Sequence, residues 1–425
     1  MPPIRFIHAA DLHLDAAFSG LSRDIPADFA ERLRTATFTA FRRLLDLCER
    51  ESPDFLLLAG DVYNQEDASV SAQLALRDGF RRLESLSIPV FLVHGNHDPL
   101  ASRLRSVRWP GNVTVFGELP DAVPVFRKGE GTPLAIIHGA SHASGRETRN
   151  LAALFRRTEA CGLHVGLLHA TPGDADGVAR YAPFSQEDLK ASGMDYWALG
   201  HIHDRREVCR EPLAAYPGCT QGLHINEPGE KGCLLVTAEA RPDGGYAVRT
   251  SFRPLGPAVW KTLDMDLGGA ASLDELENRL RTGLDRAAAE VWSGCEMLLV
   301  RLRLQGRTEL DGLLRKGTTC AELADRLRED GSGVPRIWIK DIDVATRPCV
   351  ERGALLERED LLEEVFRLSE AARTASGLQA LREGPLAPLF AHARAGKALE
   401  PLTDEELARL LDDAESLCLD LLEND

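Results

Sequence analysis

The 425-residue chain has no basic excess; its formal net charge is −16. Proteins that grip nucleic acid by its phosphates usually carry a basic surface that releases counterions, so any such surface here must be local. The chain also lacks long apolar runs. No segment approaches the roughly 18 consecutive apolar residues of a membrane helix, and MPPIRFIHAADLHLD at its start has no basic stretch leading into an apolar one. These absences point to a soluble, cytoplasmic protein with no membrane role. The nine cysteines are odd in number and scattered, without a C-x-x-C pair, which argues against a disulfide framework and a zinc ribbon. No G-x-S-x-G elbow is present, and no cysteine has an evident catalytic partner, so nothing suggests a covalent route.

What is present is an alternation. IRFIHAAD, DFLLLAGD, IPVFLVHGNHD, PLAIIHGASH, HVGLLHAT and DYWALGHIHD read as buried strands bounded by turn residues. Between them FAERLRTATFTAFRRLLDLCER, SVSAQLALRDGFRRLESL and RNLAALFRRTEAC carry apolar residues at helical spacing. Strand–helix alternation predicts a layered α/β fold whose ligands collect beyond the carboxyl ends of the strands. Polar residues cluster at those ends: Asp11 and His13, Asp61, Asn96 to Asp98, His169, and His201 with His203.

One Asp after Gly is a turn residue, and one His at a strand end is ordinarily structural. Five strand ends that all deliver Asp, Asn or His ask for more. Carboxylate, imidazole and a single amide, with no cysteine, suit divalent ions such as Mn²⁺, Fe²⁺ or Zn²⁺. Asp-x-His and His-x-His place each pair on one side of an extended chain, because side-chain direction repeats every two residues. Seven ligands are too many for one ion and suit two sharing a carboxylate. Two ions about 3.5–4 Å apart lower the pKa of bound water and neutralise phosphoryl oxygens.

The series DLH (11–13), GDV (60–62), GNHD (95–98), LHA (168–170) and GHIH (200–203) resembles the five signature motifs of calcineurin-like metallophosphoesterases. More narrowly, the chain resembles the SbcD and YhaO-type DNA-repair nucleases. The resemblance implies a fold of two mixed sheets flanked by helices. It also implies that Asp11, His13 and His203 hold one metal, that Asn96, His169 and His201 hold the other, and that Asp61 bridges them. Mn²⁺ is the expected metal. His97 would stabilise or protonate the leaving oxygen, with Asp98 either orienting His97 or holding a turn. Arg103, Arg105 and Asn64 are candidate substrate contacts, Asn64 standing where archaeal and eukaryotic relatives often carry a histidine. His94, His138 and His142 read as structural. Arg108, and Arg77, Arg81 and Arg82 in the preceding helix, are candidates for a local basic surface, although a solvated face explains them as well.

Residues 1–257 form the expected phosphoesterase domain. VWKTLDMDL, SLDELENRLRTGLDRAAAE, CEMLLVRLRLQG, TTCAELADRLRED and IWIKDIDVAT suggest a small α+β domain over 258–348, which by resemblance caps the metal site. Residues 349–425 read as helical and acidic, with nine acidic residues against one basic in 401–425. TDEELARLLDDAESLCLDLLEND opens with a capping box, Thr403 and Glu406, and sets Leu407, Leu410, Leu411, Ala414, Leu417 and Leu421 on one face. That helix either packs on its own domain or docks a coiled-coil ATPase of the SbcC or YhaN type. A metal-dependent DNA nuclease acting in repair is therefore expected, with double-strand ends or single strands as substrate and homodimerisation left open. A small-molecule or nucleotide phosphodiesterase of the same fold is the alternative. A scaffold without catalysis is disfavoured, because every metal-binding position and His97 are retained.

Overall fold

The structure is a computed structural model that describes residues 2–21, 25–64, 69–101, 107–127, 129–173, 180–242, 244–329, 333–349, 361–391 and 402–422. Two six-stranded sheets dominate it. The first is ordered β12-β11-β1-β2-β3-β4 and the second β5-β6-β7-β8-β10-β9. Here β1 is Ile4–Ala9, β2 Phe55–Ala59, β3 Val90–Val93, β4 Val113–Val115, β5 Asp121–Val125 and β6 Ala135–Ala140. Next come β7 at Leu163–His169, β8 at Tyr196–Gly200, β9 at Arg206–Arg210, β10 at Leu213–Tyr216, β11 at Gly232–Ala240 and β12 at Tyr246–Pro254. The six strands expected from apolar runs are β1, β2, β3, β6, β7 and β8, which form the parallel centres of the two sheets. Of the other six, β12, β4, β5 and β9 are the edge strands, β5 reading DAVPV for example, while β10 and β11 lie inside the sheets, each with one antiparallel neighbour further out.

The two sheets face each other across a core that includes Phe6, Phe55, Leu57, Phe91, Leu167 and Tyr196. Burying a residue of this kind is worth roughly 1.5–3 kcal/mol. Helices α2 (Ala36–Glu51) and α3 (Val70–Ser85) flank the first sheet, where Phe41, Leu44, Leu76 and Phe80 pack on Leu56, Leu58 and Leu92, while α1 (Ala27–Arg34) packs Phe29 and Leu33 with Trp260, Met297, Leu299 and Trp338. The stretch expected as one helix over α1 and α2 breaks at Thr35, where φ is −97° and ψ 3°. RNLAALFRRTEAC does not form the expected helix: only Ala152–Leu154 makes a 3₁₀ turn, and the next residue, Phe155, is extended. Its ring is buried 4.8 Å from that of Trp197, an anchor worth more than a marginal short helix.

The five elements expected after residue 257 are all present: β13 (Ala258–Asp266), a helix at Leu273–Glu290, β14 (Met297–Thr308), a helix at Thr319–Glu329 and β15 (Arg336–Pro348), the strands ordered β13-β14-β15. The chain packs as two units. One comprises Met1–Asp266, Asp274–Gln305 and Leu314–Ala345, the other Leu267–Leu273, Gly306–Leu313 and Thr346–Asp425. The division cuts β14 and β15, strands of 12 and 13 residues, near their ends. In the second unit the capping box forms: Thr403 Oγ1 accepts from the Glu406 amide, and Glu406 Oε2 accepts from the Thr403 amide. Leu407 is buried, but Leu410 and Leu417 are exposed, so the apolar face of that helix is only partly covered. Among the described residues no helix is long and apolar enough to cross a membrane.

Candidate metal centre

β1, β2 and β3 of one sheet and β7 and β8 of the other end at the same edge of the sandwich, and the residues at or just beyond those ends converge. Asp11, His13 and His203 bring ligand atoms within 4.8 Å of one another, and so do Asp61, His169 and His201. Asn96 Oδ1 lies 3.0 Å from His169 Nε2 and 3.1 Å from His201 Nδ1, which joins it to the second group. Asp61 Oδ2 stands between the groups, 3.3 Å from His169 Nε2 and 4.0 Å from His13 Nε2. The sheets meet tightly here. A Cβ on Gly200 would lie 1.8 Å from the Ala59 carbonyl oxygen, and one on Gly95 would lie 2.3 Å from Asp61 Oδ1.

The convergence is not produced by extended chain, as the two-residue spacing suggested. Asp11, His13, Asp61 and His201 have φ of 51°, 41°, 50° and 102°, in the left-handed region that side chains ordinarily avoid. Strain of this kind concentrates at functional sites, held by the surrounding structure. The holding bonds are visible: the Asp11 amide donates to the Gly60 carbonyl at 3.1 Å, the His13 amide to the Asp61 carbonyl at 3.0 Å, and the His201 amide to the Asp11 carboxylate at 3.1 Å. As a result Asp11 and His13 share one group, whereas His201 and His203 are divided between the two.

The donor set fits a pair of divalent cations. Four imidazoles, two carboxylates and an amide oxygen turn unshared electron pairs inward, and His13 Nε2 and His203 Nε2 face each other at 3.1 Å. Asp11, His13, Asp61 and His169 are buried, where uncompensated polar groups are costly. Burial pushes the Asp11 carboxyl above the ordinary carboxylate range. Burial would do the same to Asp61, but the imidazole of His169 outweighs it and holds that carboxyl well below the range. His169 is correspondingly raised to about 9: burial alone would lower it, and Asp61 overcomes this. A divalent cation would compete with that proton. Outer nitrogens are also held. His13 Nδ1 meets Asn64 Oδ1 at 2.6 Å, His169 Nδ1 meets the Ala59 carbonyl at 2.9 Å, and His203 Nδ1 is bonded to Glu227 Oε1, the ligand-orienting pattern common around bound metals.

Residues 4–205 match the family model described as calcineurin-like phosphoesterase, and residues 260–347 match that of the metallophosphoesterase YhaO middle domain. The uncharacterized metallophosphoesterase YhaO of Bacillus subtilis is 36% identical over 348 residues, 81% of this chain and 82% of that protein. The chain belongs to the calcineurin-like phosphoesterase family. It is a metal-dependent phosphoesterase with YhaO-type organisation. More distant relatives carry the description DNA double-strand break repair protein Mre11. The one from Aeropyrum pernix is 27% identical over 319 residues, 68% of this chain and 69% of that protein. The one from Haloferax volcanii is 24% identical over 390 residues, 87% of this chain and 78% of that protein.

Against this family frame the remaining candidates separate. The side chain of His97 is exposed, its ring 5.2 Å from that of His13, and its amide donates to Asp61 Oδ1 at 2.9 Å. Asp98 does not orient His97. Its fully buried carboxylate accepts the amides of Gly95, Asp61 and Val62 at 2.7, 3.2 and 3.1 Å, with His94 Nδ1 3.2 Å away. Asn64 turns its side-chain oxygen to His13, so that oxygen orients a candidate ligand instead of meeting substrate. Arg103 and Arg105 lie outside the described residues. Arg77 and Arg81 pair with Asp78, and Arg82 with Asp46 and Glu49, so the α3 arginines are a solvated, ion-paired face. His142 is buried with Nε2 2.6 Å from the His169 carbonyl, and His138 pairs with His164 at 3.0 Å. Glu227 was not singled out from sequence. It sits in a Gly- and Pro-rich stretch, 24 residues from His203, and no local spacing links the two.

Proposed function

We propose that the protein is a Mn²⁺-dependent DNA nuclease in which Asp11, His13 and His203 hold one ion, Asn96, His169 and His201 hold a second, and Asp61 bridges them. The observation that carries this reading is the complete donor set around Asp61 Oδ2 with the exposed His97 ring at its rim. When bound, the ions supply an activated water and neutralise charge on the phosphoryl oxygens. His97 stands at the solvent side, where its imidazole can donate a proton to the departing oxygen. DNA as substrate is supported by the Mre11 relatives, whose likeness runs beyond the phosphoesterase segment. The organisation proposed is a phosphoesterase domain over 1–257, a capping domain over 258–348 and a helical segment over 349–425. That last segment carries an apolar groove of about 530 Å³ lined by Leu368, Ala372, Leu381 and Leu411, and a coiled-coil ATPase of the SbcC or YhaN type is the partner proposed for the segment.

The test offers linear double-stranded DNA, single-stranded DNA and a generic phosphodiester in parallel to the purified protein with Mn²⁺. DNA cleavage that is lost with His97→Ala, at two ions per chain, is the expected result. Cleavage of the small diester alone would replace this reading with a small-molecule phosphodiesterase, the substrate class to which a net charge of −16 presents no obstacle.

A further inference from the structure

Three of the candidate metal-binding histidines, His13, His169 and His203, have their outer nitrogen held by a described partner, and of these three His203 is the one held by a carboxylate. We propose that Glu227 is a positioning residue: it fixes His203 with the proton on Nδ1 and turns Nε2 toward Asp11 and His13. The inference rests on the reading above that the cluster binds two divalent ions. His203 Nδ1 is hydrogen-bonded to Glu227 Oε1, while its Nε2 lies 3.1 Å from His13 Nε2 and 3.8 Å from Asp11 Oδ1. An imidazole whose Nδ1–H is given to a carboxylate can present only Nε2 as a ligand, and its basicity rises.

Glu227 is itself fixed. It is buried, its second oxygen accepts the Leu223 amide at 2.7 Å, and His224 Nε2 lies 3.3 Å from Oε1. The loop that carries it is pinned to β13. The Gly229 amide donates to the Trp260 carbonyl at 2.9 Å, and Trp260 Nε1 donates to the Gly222 carbonyl at 3.0 Å. Gln221 exchanges two bonds with the backbone of Ala258, at 2.8 and 3.1 Å. A Cβ on Gly222 would come 2.8 Å from the Glu227 carbonyl oxygen, so the loop has little room to shift. Cys219 also stands near, its sulfur within 4.8 Å of ligand atoms of His203 and Glu227. The bond from Nδ1 to Glu227 leaves that nitrogen no free pair for an ion on the Cys219 side.

The experiment compares the full-length chain with Glu227→Ala and Glu227→Gln. Mn²⁺ binding is followed by electron paramagnetic resonance, and the His203 tautomer by long-range nitrogen–proton NMR on metal-free protein. The wild type is expected to bind two ions and to carry the His203 proton on Nδ1. Glu227→Ala should weaken one of the two ions by about 10- to 100-fold, leave the other in place, and erase the Nδ1–H signature. Glu227→Gln keeps shape and a carbonyl acceptor, so it should fold and regain most of the affinity; a thermal melt of each metal-free variant separates misfolding from mispositioning. A folded Glu227→Ala protein that binds both ions within twofold of wild type overturns the proposal. So does a third ion in the wild type that is lost with both Glu227→Ala and Cys219→Ala, since Glu227 would then be a ligand. Fewer than two ions in the wild type would instead defeat the two-ion reading, while the metal-free tautomer measurement still tests the Glu227–His203 relationship.

Discussion

Asp98 Oδ1 lies 3.2 Å from the backbone nitrogen of Asp61 and accepts its hydrogen. The same carboxylate accepts from Val62 and Gly95, so one buried side chain clips the turn after β2 to the turn after β3. The position of the Asp61 carboxylate, between the two groups of candidate ligands, is thereby set from the neighbouring motif.

Replacement of that clip should damage stability before chemistry. Asp98→Ala leaves three buried amides without their charged acceptor and is expected to cost on the order of 3 kcal/mol, seen as a lower urea midpoint at unchanged slope. Asp98→Asn keeps one acceptor oxygen and should cost less. An unchanged midpoint together with a fall in kcat at full metal content would return Asp98 to a direct role in catalysis.

His97→Ala should do the opposite. The ring is exposed and, among the described residues, makes only a ring contact with His13, so stability and metal content are expected to stay near wild type. Hydrolysis of a diester with a poor leaving group should drop by about 10²- to 10⁴-fold. A diester with a good leaving group needs less proton donation and should lose less; equal losses on both substrates would argue against His97 as the acid.

Gly200→Ala is a severe test of how closely the sheets approach. The added carbon would stand 1.8 Å from the Ala59 carbonyl oxygen and 3.0 Å from His169 Nδ1, and backbone cannot give way as a flexible side chain can. We expect a loss of several kcal/mol, or no folded protein, and in any folded fraction a weakened site containing His169. Wild-type Mn²⁺ stoichiometry and melting temperature in this variant would contradict the packing described.

Acid should destabilise the protein through its buried neutral histidines. Burial lowers His8 to about 3 and His138 and His142 to about 4, whereas an unfolded histidine titrates near about 6.5. Below that value the unfolded chain takes up protons that the folded chain refuses, so stability present above about pH 6.5 is lost as pH falls, by up to about 1.4 kcal/mol per unit for each group. His169 runs the other way. Raised to about 9 against the pull of burial by Asp61, it contributes fully below about pH 6.5 and loses its contribution as pH rises through about 9. Urea unfolding in chelator should therefore show higher stability at about pH 7.5 than at about pH 5; a flat profile would mean that these histidines are not held neutral.

The sequence was most legible where apolar runs end in polar residues. Buried parallel strands require such runs on both faces, which is why β1, β2, β3, β6, β7 and β8 could be read, and why the side chains at their carboxyl ends could be grouped. The backbone that delivers Asp11, His13, Asp61 and His201 was not read: Asp and His take a left-handed φ more often than other non-glycine residues, but tertiary bonds decide at which positions they do. The same holds for Asp98, whose partners Asp61 and Val62 lie more than thirty positions away, and for Phe155, where one aromatic anchor overrides helical spacing.

The bonds that join Gln221, Gly222 and Gly229 to Ala258 and Trp260 bear on how this architecture can be taken apart. The border near residue 258, so plain in composition, is not a mechanical seam. A chain shortened to its phosphoesterase segment would release the loop behind His203, and a chimera that exchanges the later segment between relatives would inherit a different rest for it. Modularity in the gene and modularity in the molecule diverge at this point, and the later segment belongs to the scaffold of the metal centre as much as β1 does.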